Sequence, residues 1–293
     1  MTRYVLAGLD GSPQSEAAAS WAAEEAQLRG ATLRLLHVRP WLATTEADLS
    51  RPGDLRTQAL RALTDTASRI RDARPDLTVE TTLIGDTPTD GLVAAAAGRE
   101  LLVLGSRGLG GFATLLVGSV SLGVAARADT PVVLVRSEQP SVAHEVATHP
   151  AVREVVLGLD ARHPADPVIE FAFAEAALRG ARLLAVHGWN PLPAWSFAGW
   201  VPPQTDIAAQ KSSEKALLVQ ALAPWREKYP EVELVEEVHL GSGAQTLLES
   251  SDAAGLIVVG RRVRRHDAGM RLGPVAHAVL HHAAAPVAVV PHP

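Results

Sequence analysis

Cysteine is absent from the chain, which excludes a disulfide framework and a thiolate metal site. Aromatic residues make up only 4%, and apolar runs are broken by glycine, arginine or aspartate well before the roughly 18 residues of a membrane-spanning helix. The N-terminal residues lead directly into a predicted strand and lack the pattern of a secretory signal peptide. A formal net charge of −5 argues against broad nucleic-acid binding, which needs a basic surface. We therefore expect a cytoplasmic protein that binds neither membranes nor nucleic acids.

Apolar residues, by contrast, are plentiful, and the sequence repeats itself. Hydrophobic residues make up 47% of the 293 residues, which is enough for about two globular domains. The segment 4–37 aligns without a gap with 154–187. Later matches join 101–105 to 256–260 and 130–135 to 285–290. We interpret the chain as two copies of one domain, the first copy at 1–137 and the second copy at 153–293, joined by a polar linker at 138–152.

Within each copy, short apolar runs rich in β-branched residues alternate with helical patterns. The predicted strands lie at 4–9, 31–38, 78–84, 100–104 and 131–136, and at 154–159, 181–187, 233–239, 255–259 and 286–290. The predicted helices of the first copy lie at 13–29, 54–73, 87–97 and 119–127. This alternation is typical of a parallel sheet covered on both faces. We predict an α/β fold of two tandem, five-stranded, Rossmann-like parallel-sheet domains with strand order 3-2-1-4-5, and no single sheet running through both copies.

The loop after the fourth strand of the first copy is rich in glycine, and ligands bind such sheets where strands end. Glycines let the backbone approach an anion closely, and Gly118-Ser119 opens a helix whose N-terminus favours phosphate. The residues that can contribute are Gly105, Arg107, Gly108, Gly118, Ser119, Val120 and Ser121. The alternative is a glycine-rich loop with an N-cap serine and no ligand.

The spacing G-x2-G-x9-G-S resembles the ATP-binding motif of the universal stress protein family, and the resemblance, to its tandem-domain members, spans nearly the whole chain. It implies an adenine nucleotide alpha hydrolase-like fold that binds ATP, or AMP or ADP, with or without Mg²⁺. The family's site also includes an aspartate after the first strand and an adenine contact after the second, which correspond here to Asp10, with Gly11 and Ser12, and to Val38. We predict no catalytic residue and no metal ligand of the protein itself.

Three groups of residues have alternative interpretations. Asp10 either lies in a nucleotide site or caps the helix after the first strand. The aromatic segment 189–203 is a lid, an interface patch or ordinary packing on its own domain. His277 and His281 are four residues apart on a predicted helix beside His282, but without a third ligand nearby we favour helix-end histidines over a zinc site.

The second copy departs from the motif. It keeps Asp160, Gly260 and Gly273 but has Ala161, Arg162, Val263 and Pro274 in place of the glycines and serines. Val263 puts a branched side chain where the backbone needs to approach a phosphate, and Pro274 removes one N–H. We expect this pocket to be empty or to hold a different anion. The adjoining arginines form either a solvated basic loop or a substitute grip on phosphate: Arg261, Arg262, Arg264 and Arg265.

The last strand of each copy, within 130–136 and 285–291, is short and apolar and would be aggregation-prone at an exposed sheet edge. Family members dimerise through this strand, so the resemblance implies that the two strands face each other across a pseudo-twofold axis. The chain is then an internal pseudo-dimer. Homodimer formation and the identity of protein partners stay open.

Three functions are compatible with these patterns. The first is an adenine-nucleotide-binding regulatory or stress-response factor without efficient catalysis, since no nucleophile paired with a base is evident. The second is a slow ATP-hydrolysing or autophosphorylating enzyme that uses Asp10, Ser119 or Ser121. The third is an interaction module with idle nucleotide pockets.

Overall fold

The computed structural model describes residues 3–40, 52–108, 117–136, 154–190, 207–263 and 272–293. The predicted linker at 138–152 lies outside the described residues, so the domain boundaries stay a prediction. Within the described segments, no helix combines the length and the apolar character needed to cross a membrane.

The first copy alternates strands and helices as the sequence predicts. Its strands are β1 (Tyr4–Gly8), β2 (Thr32–Val38), β3 (Val79–Ile84), β4 (Leu101–Gly105) and β5 (Val132–Val135). Its helices are α1 (Pro13–Arg29), α2 (Pro52–Ala73), α3 (Pro88–Ala96) and α4 (Ser119–Arg127). These bounds agree with the predicted ones to within about two residues.

The second copy follows the same order with longer final strands. Its strands are β6 (Glu154–Gly158), β7 (Leu183–Trp189), β8 (Leu234–Leu240), β9 (Ala254–Arg262) and β10 (Val287–His292). Its helices are α5 (Asp166–Arg179), α6 (Ile207–Lys228), α7 (Gly243–Glu249) and α8 (Pro274–His282). β9 and β10 extend two to three residues beyond the predicted ends at 259 and 290, because the two strands continue to pair there.

The strands lie in the order β3-β2-β1-β4-β5-β10-β9-β6-β7-β8. Each copy therefore has the predicted order 3-2-1-4-5, and all pairs within a copy are parallel. The predicted pairing of the two last strands is also confirmed, because β5 and β10 are antiparallel neighbours with Val133 opposite Ala288. The expectation that no single sheet runs through both copies is wrong. Hydrogen bonding between β5 and β10 joins the copies into one ten-stranded sheet, so neither of these two strands is an exposed edge.

Helices cover both faces of the sheet. The core on one face joins α1, α2, α5 and α6 to the strands, and the core on the other face joins α3, α4, α7 and α8. Successive strand residues alternate between the two cores, so that Val5 and Ala7 face one and Leu6 faces the other. This explains why the central strands are continuously apolar in sequence.

Two glutamates and two arginines meet where α1 packs against α5. They occupy equivalent positions of the two copies: Glu25, Arg29, Glu175 and Arg179. Nε of Arg29 donates to Oε1 of Glu25 at 2.5 Å, and each arginine also pairs with the glutamate of the other helix. Both glutamates are only 1% exposed. We call this group the charge quartet. Its mutual pairing offsets the cost of removing the carboxylates from water.

On the opposite face of the sheet, each copy supplies an arginine to the C-terminal end of the other copy's last helix. Arg261 of β9 is buried and donates through Nη2 to the carbonyl of Ala128, the C-cap of α4. Arg136, which follows β5, donates to the carbonyls of Leu280, at 3.2 Å, and His281 in the last turn of α8. The last carbonyls of a helix have no partner within it, and a cation there interacts favourably with the helix dipole.

Candidate functional site

A cavity of about 410 Å³ opens at the carboxyl ends of β1, β2 and β4, beside the N-terminus of α4. Nine residues singled out from the sequence line it: Asp10, Val38, Gly105, Arg107, Gly108, Gly118, Ser119, Val120 and Ser121. Gly11 and Ser12 follow Asp10 in the chain without lining the cavity. The fold thus brings three separate segments together in one site, while their contact with a nucleotide stays a prediction.

Asp10 is fixed by the start of α1 but does not cap it. The backbone N and Oγ of Ser12 donate to Oδ1 of Asp10 at 2.9 and 2.6 Å, and Ser12 itself is the N-cap. Ser15 donates from Oγ to the carbonyl of Ser12 at 2.8 Å and accepts from the backbone N of Asp10 at 3.3 Å. Gly11 between them has φ 88°, which glycine adopts without strain. Ser12, predicted as a ligand contact, therefore positions the carboxylate at the edge of the cavity.

Two of the three motif glycines are required by packing. A β-carbon at Gly105 would lie 2.8 Å from the backbone carbon of Gln14 and 3.0 Å from the backbone N of Ser15. A β-carbon at Gly108 would overlap Oδ2 of Asp10. Gly105 therefore lets β4 approach α1, and Gly108 lets the loop after β4 contact the aspartate after β1.

Gly118 differs, because the protein's own packing does not require glycine there. It is the N-cap of α4 with φ −75°, a value open to every residue. A β-carbon would make ordinary contacts, 3.6 Å from Cα of Arg107 and 3.8 Å from the backbone N of Gly108. A serine or asparagine would normally cap a helix better. The β-carbon position also lies 3.6 Å from the carbonyl oxygen of Ser106, and it adjoins the helix N-terminus, which favours an anion.

The two serines at the start of α4 have different surroundings. Ser119 is exposed and lines the cavity. Ser121 is buried, and its Oγ donates to the carbonyl of Gly105 at 2.7 Å. Ser121 therefore ties α4 to the end of β4, whereas Ser119 presents its side chain at the open side of the cavity.

The β2 side of the cavity is apolar. Its wall is formed by Leu36, Val38, Pro88, Leu92 and Leu104. Val38 packs directly on α3, because a β-carbon at Gly91 would lie only 2.6 Å from Cγ1 of Val38. Sequence reasoning identified only Val38, since the other wall residues are indistinguishable in sequence from ordinary core residues. Such a wall suits a flat, largely apolar ring.

The charged side chains that line the cavity are Asp10, Arg39 and Arg107. Sequence reasoning missed Arg39, although its position directly after Val38 was a usable signal. Burial lowers the pKa of the adjacent His37, Arg39 lowers it further, and the Asp10 carboxylate opposes them. His37 is therefore neutral at pH 7, and the two guanidinium groups leave the lining with an excess of positive charge that favours an anion.

In the second copy, the chain that corresponds to the glycine-rich loop continues as a strand. β9 runs through Arg262, which pairs with His292 of β10. The backbone N of Val263, at the position of Gly108, donates to the carbonyl of His292 at 2.7 Å. A β-carbon at Gly260 would lie 3.0 Å from Nε2 of the same histidine. In the second copy, the backbone N–H at the position of Gly108 is thus used for sheet pairing.

On the other side of the second crevice, the strand has a smaller residue than in the first copy and the helix has a larger one. Gly188 stands at the position of Val38, and Thr246 stands at the position of Gly91. A β-carbon at Gly188 would lie 2.8 Å from Cα of Gly243 and 3.1 Å from Oγ1 of Thr246. The start of α7 therefore rests on β7 at the place where the first copy has the Val38 wall.

The aspartate of the second copy is retained but differently held. Arg162, at the position of Ser12, pairs with Glu214 of α6, whose Oε2 lies 3.2 Å from Nε2 of His187. The hydrogen bond from Arg162 is the main cause that lowers the pKa of Glu214. Asp160 is exposed and lies 3.1 Å from Nδ1 of His163. The backbone N of Arg162 donates to Oδ1 of Asp160 at 3.1 Å, as that of Ser12 does to Asp10, but Arg162 and Ala165 replace the hydroxyls of Ser12 and Ser15.

Arg261 fits neither interpretation of the arginine-rich segment, a solvated basic loop or a grip on phosphate. It is buried against α4 and donates a hydrogen bond there. Arg262 is exposed at the end of β9, and Arg264 and Arg265 lie outside the described residues. A substitute phosphate grip therefore has no support from Arg261.

The structure also bears on the interpretations of the histidines of α8 and of the aromatic segment that begins at Trp189. The rings of His277 and His281 lie 4.6 Å apart, and burial, followed by the neighbouring histidines, lowers the pKa of His281. In the part of the chain that the structure describes, no three potential metal ligands cluster.

Trp189 ends β7 and is buried in the core, which fits packing on its own domain. The rest of the aromatic segment, 191–203, lies outside the described residues.

Together, the fold and the cavity define a tandem pair of Rossmann-like α/β domains, of which the first contains the cavity described above. The model of the universal stress protein family matches residues 1–136 and 151–291. Two universal stress proteins of Mycobacterium tuberculosis are 33% identical over 292 residues and 34% identical over 294 residues, covering 97% of this chain and 96% and 95% of their own. The chain belongs to the universal stress protein family, as the sequence motif predicted.

The fold is also shared with a solved structure. The crystal structure of a universal stress protein from Archaeoglobus fulgidus has a TM-score of 0.68 at 19% identity, with 98% of each chain covered. The arrangement of two such domains in one chain is therefore found in that protein as well.

Proposed function

We propose that the protein binds one adenine nucleotide, ATP or its products ADP and AMP, in the cavity of the first copy. We further propose that it acts as a cytoplasmic regulatory or stress-response factor without efficient catalysis. The observation that carries the proposal is that α4 begins at the cavity with a glycine, Gly118, which neither its backbone conformation nor the protein's own packing requires.

The rest of the cavity supports the same ligand. Backbone amides at the start of α4, with Arg107 beside them, suit a phosphate chain. The apolar wall around Val38 suits the adenine ring, and a volume of about 410 Å³ falls within the usual range of ligand sites.

Mg²⁺ is compatible with this site as a companion of the nucleotide. Mg²⁺ is usually held by one or two carboxylates together with phosphate oxygens and water. Asp10 is the carboxylate that lines the cavity, and Ser12 occupies its Oδ1 while Oδ2 faces Gly108. Asp10 would therefore supply the protein's share of the ligands.

Two measurements test the proposal. The purified protein is denatured and the released small molecules are identified by mass spectrometry, and the emptied protein is then titrated with ATP, ADP and AMP by calorimetry. We expect a bound adenine nucleotide and about one site per chain. Absence of binding for all three would support the interaction module with idle pockets, and two equal sites would contradict the closure of the second crevice.

The exposed Ser119 hydroxyl at the start of α4 keeps slow hydrolysis or autophosphorylation as a second candidate. Turnover of radiolabelled ATP separates the two functions. We expect only background hydrolysis and no phosphate on the protein. A turnover that disappears in both Asp10→Asn and Ser119→Ala, with nucleotide binding retained, would establish the enzyme instead.

A further inference from the structure

We propose that Arg261, a residue of the second copy, positions the nucleotide site of the first copy. The two are joined by α4, whose N-terminal residues Gly118 and Ser119 line the cavity. The carbonyl of Ala128 at its other end accepts a hydrogen bond from the guanidinium of Arg261. The proposal rests on the proposed function, because it concerns the same site.

The contact has the features of a fixed anchor. Arg261 is 5% exposed and Ala128 is 1% exposed, so the hydrogen bond is shielded from water. Arg261 belongs to β9, which pairs with β6 as far as Val258 and with β10 as far as Arg262, so that Arg261 itself lies opposite Pro291 of β10. The guanidinium is therefore carried by a central strand of the sheet, and its place relative to the first copy is set by the antiparallel pairing of β5 and β10.

The helix that Arg261 anchors is short. α4 has nine residues, so its two ends are only about 13 Å apart. A small rotation at Ala128 is transmitted directly to the amides at Ser119 and Val120, because a helix of this length moves as a rigid rod. The cation also stabilises the negative end of the helix dipole, whose positive end faces the cavity. Both effects favour an anion at the N-terminus.

The same copy-to-copy contact occurs at α8 and provides a matched control. Arg136 of the first copy donates to the carbonyls of Leu280 and His281. The N-terminus of α8, at Gly273 and Pro274, adjoins the crevice of the second copy, where α7 rests on β7 and β9 continues into its loop. Arg136 follows Val135, whose carbonyl accepts from the backbone N of Ser106, but its guanidinium reaches α8 and not α4, so Arg136→Met removes a copy-to-copy contact at the helix away from the proposed nucleotide.

The experiment compares Arg261→Met with Arg136→Met in the full chain. Calorimetry measures the dissociation constants of ATP and adenosine, and a thermal melt checks that both variants are folded. We expect both variants to lose thermal stability, with the larger loss in Arg261→Met, because Arg261 is buried and Arg136 is partly exposed. For Arg261→Met the ATP dissociation constant should rise about 3- to 10-fold while that of adenosine stays within about twofold, because the helix contacts the phosphates. For Arg136→Met neither should change.

Three results would overturn the inference: unchanged ATP affinity in Arg261→Met, equal weakening of adenosine and ATP, or the same loss in Arg136→Met. If Arg261→Met does not fold, Arg261→Gln and Arg136→Gln replace the pair, with the same expectations. A wild-type protein that binds neither compound overturns the proposed function itself, which is a distinguishable outcome.

Discussion

Gly108 and Asp10 come so close together that a β-carbon on the glycine would overlap Oδ2 of the aspartate. We therefore expect Gly108→Ala to lower the free energy of unfolding by about 1–3 kcal/mol, as overpacking at a fixed contact does. Urea denaturation measures the loss. Asp10→Ala in the Gly108→Ala background removes the overlap and should restore part of it. A Gly108→Ala protein as stable as wild type would show that the contact is loose.

Gly118 and Gly273 are equivalent N-caps, and a β-carbon at either meets no close neighbour. Alanine at each should therefore change stability by less than about 1 kcal/mol. We expect Gly118→Ala to weaken ATP binding by about tenfold or more, because the methyl group occupies the space beside the Gly108 amide. Gly273→Ala should leave ATP binding unchanged. Calorimetry on both variants decides, and equal effects would contradict a single site in the first copy.

The first copy can be given the residues found in the second crevice. Glycine then replaces Val38, as at Gly188, and threonine replaces Gly91, as at Thr246. Gly91→Thr alone should destabilise the protein by about 1–3 kcal/mol, because its β-carbon would lie 2.6 Å from Cγ1 of Val38. Adding Val38→Gly should recover much of the loss and weaken adenosine binding. Urea denaturation and calorimetry follow the two effects. Full adenosine affinity in the double variant would mean that the Val38 wall does not contact the base.

The sequence was sufficient for the repeat, the element order and the strand order within each copy, because these depend on local patterns. It was insufficient where chemistry depends on a partner far away in the chain. Arg261 looked like part of a basic loop, yet its role is set by Ala128, which only the pairing of β5 and β10 brings near. The hydrogen bonds from Ser12 to Asp10 likewise depend on the turn at Gly11, while its contact with a nucleotide stays a prediction.

The charge quartet gives a prediction about the contact between the copies. Arg29→Met leaves Glu25 and Glu175, both buried, with only Arg179 as a counter-charge from the quartet. We expect a loss of about 3–5 kcal/mol in the free energy of unfolding, as for other broken buried ion pairs. Replacing all four residues by apolar ones of similar size should restore much of it. Denaturant unfolding of the single and quadruple variants tests this, and a loss below about 1 kcal/mol would indicate that water reaches the quartet.

The lowered pKa of Glu214 leads to a prediction of how the stability of the protein depends on pH. Its pKa is lowered from the ordinary 4.5, chiefly by the hydrogen bond from Arg162. A carboxyl with a lowered folded-state pKa contributes stability above its unfolded pKa and loses it as the pH falls through the folded value. Glu214→Gln should therefore be less stable than wild type at pH 7, and the difference should shrink as the pH falls below about 4.5. Thermal melts across this range test it; a constant difference would rule out the carboxylate as the cause.

The antiparallel seam between β5 and β10 has a geometric consequence. Every strand of one copy runs opposite to every strand of the other, so the crevices at their carboxyl ends open on opposite rims of the sheet. A partner that docks over the nucleotide rim meets the loops that follow the strands of the first copy, and from the second copy it meets only loops that lead into strands. In an assembly of identical subunits, each mutation would alter both rims at once. Because the two copies are fused in one chain, the sequence of each rim can change independently of the other. One crevice can then keep a ligand while the other serves only the packing of the fold.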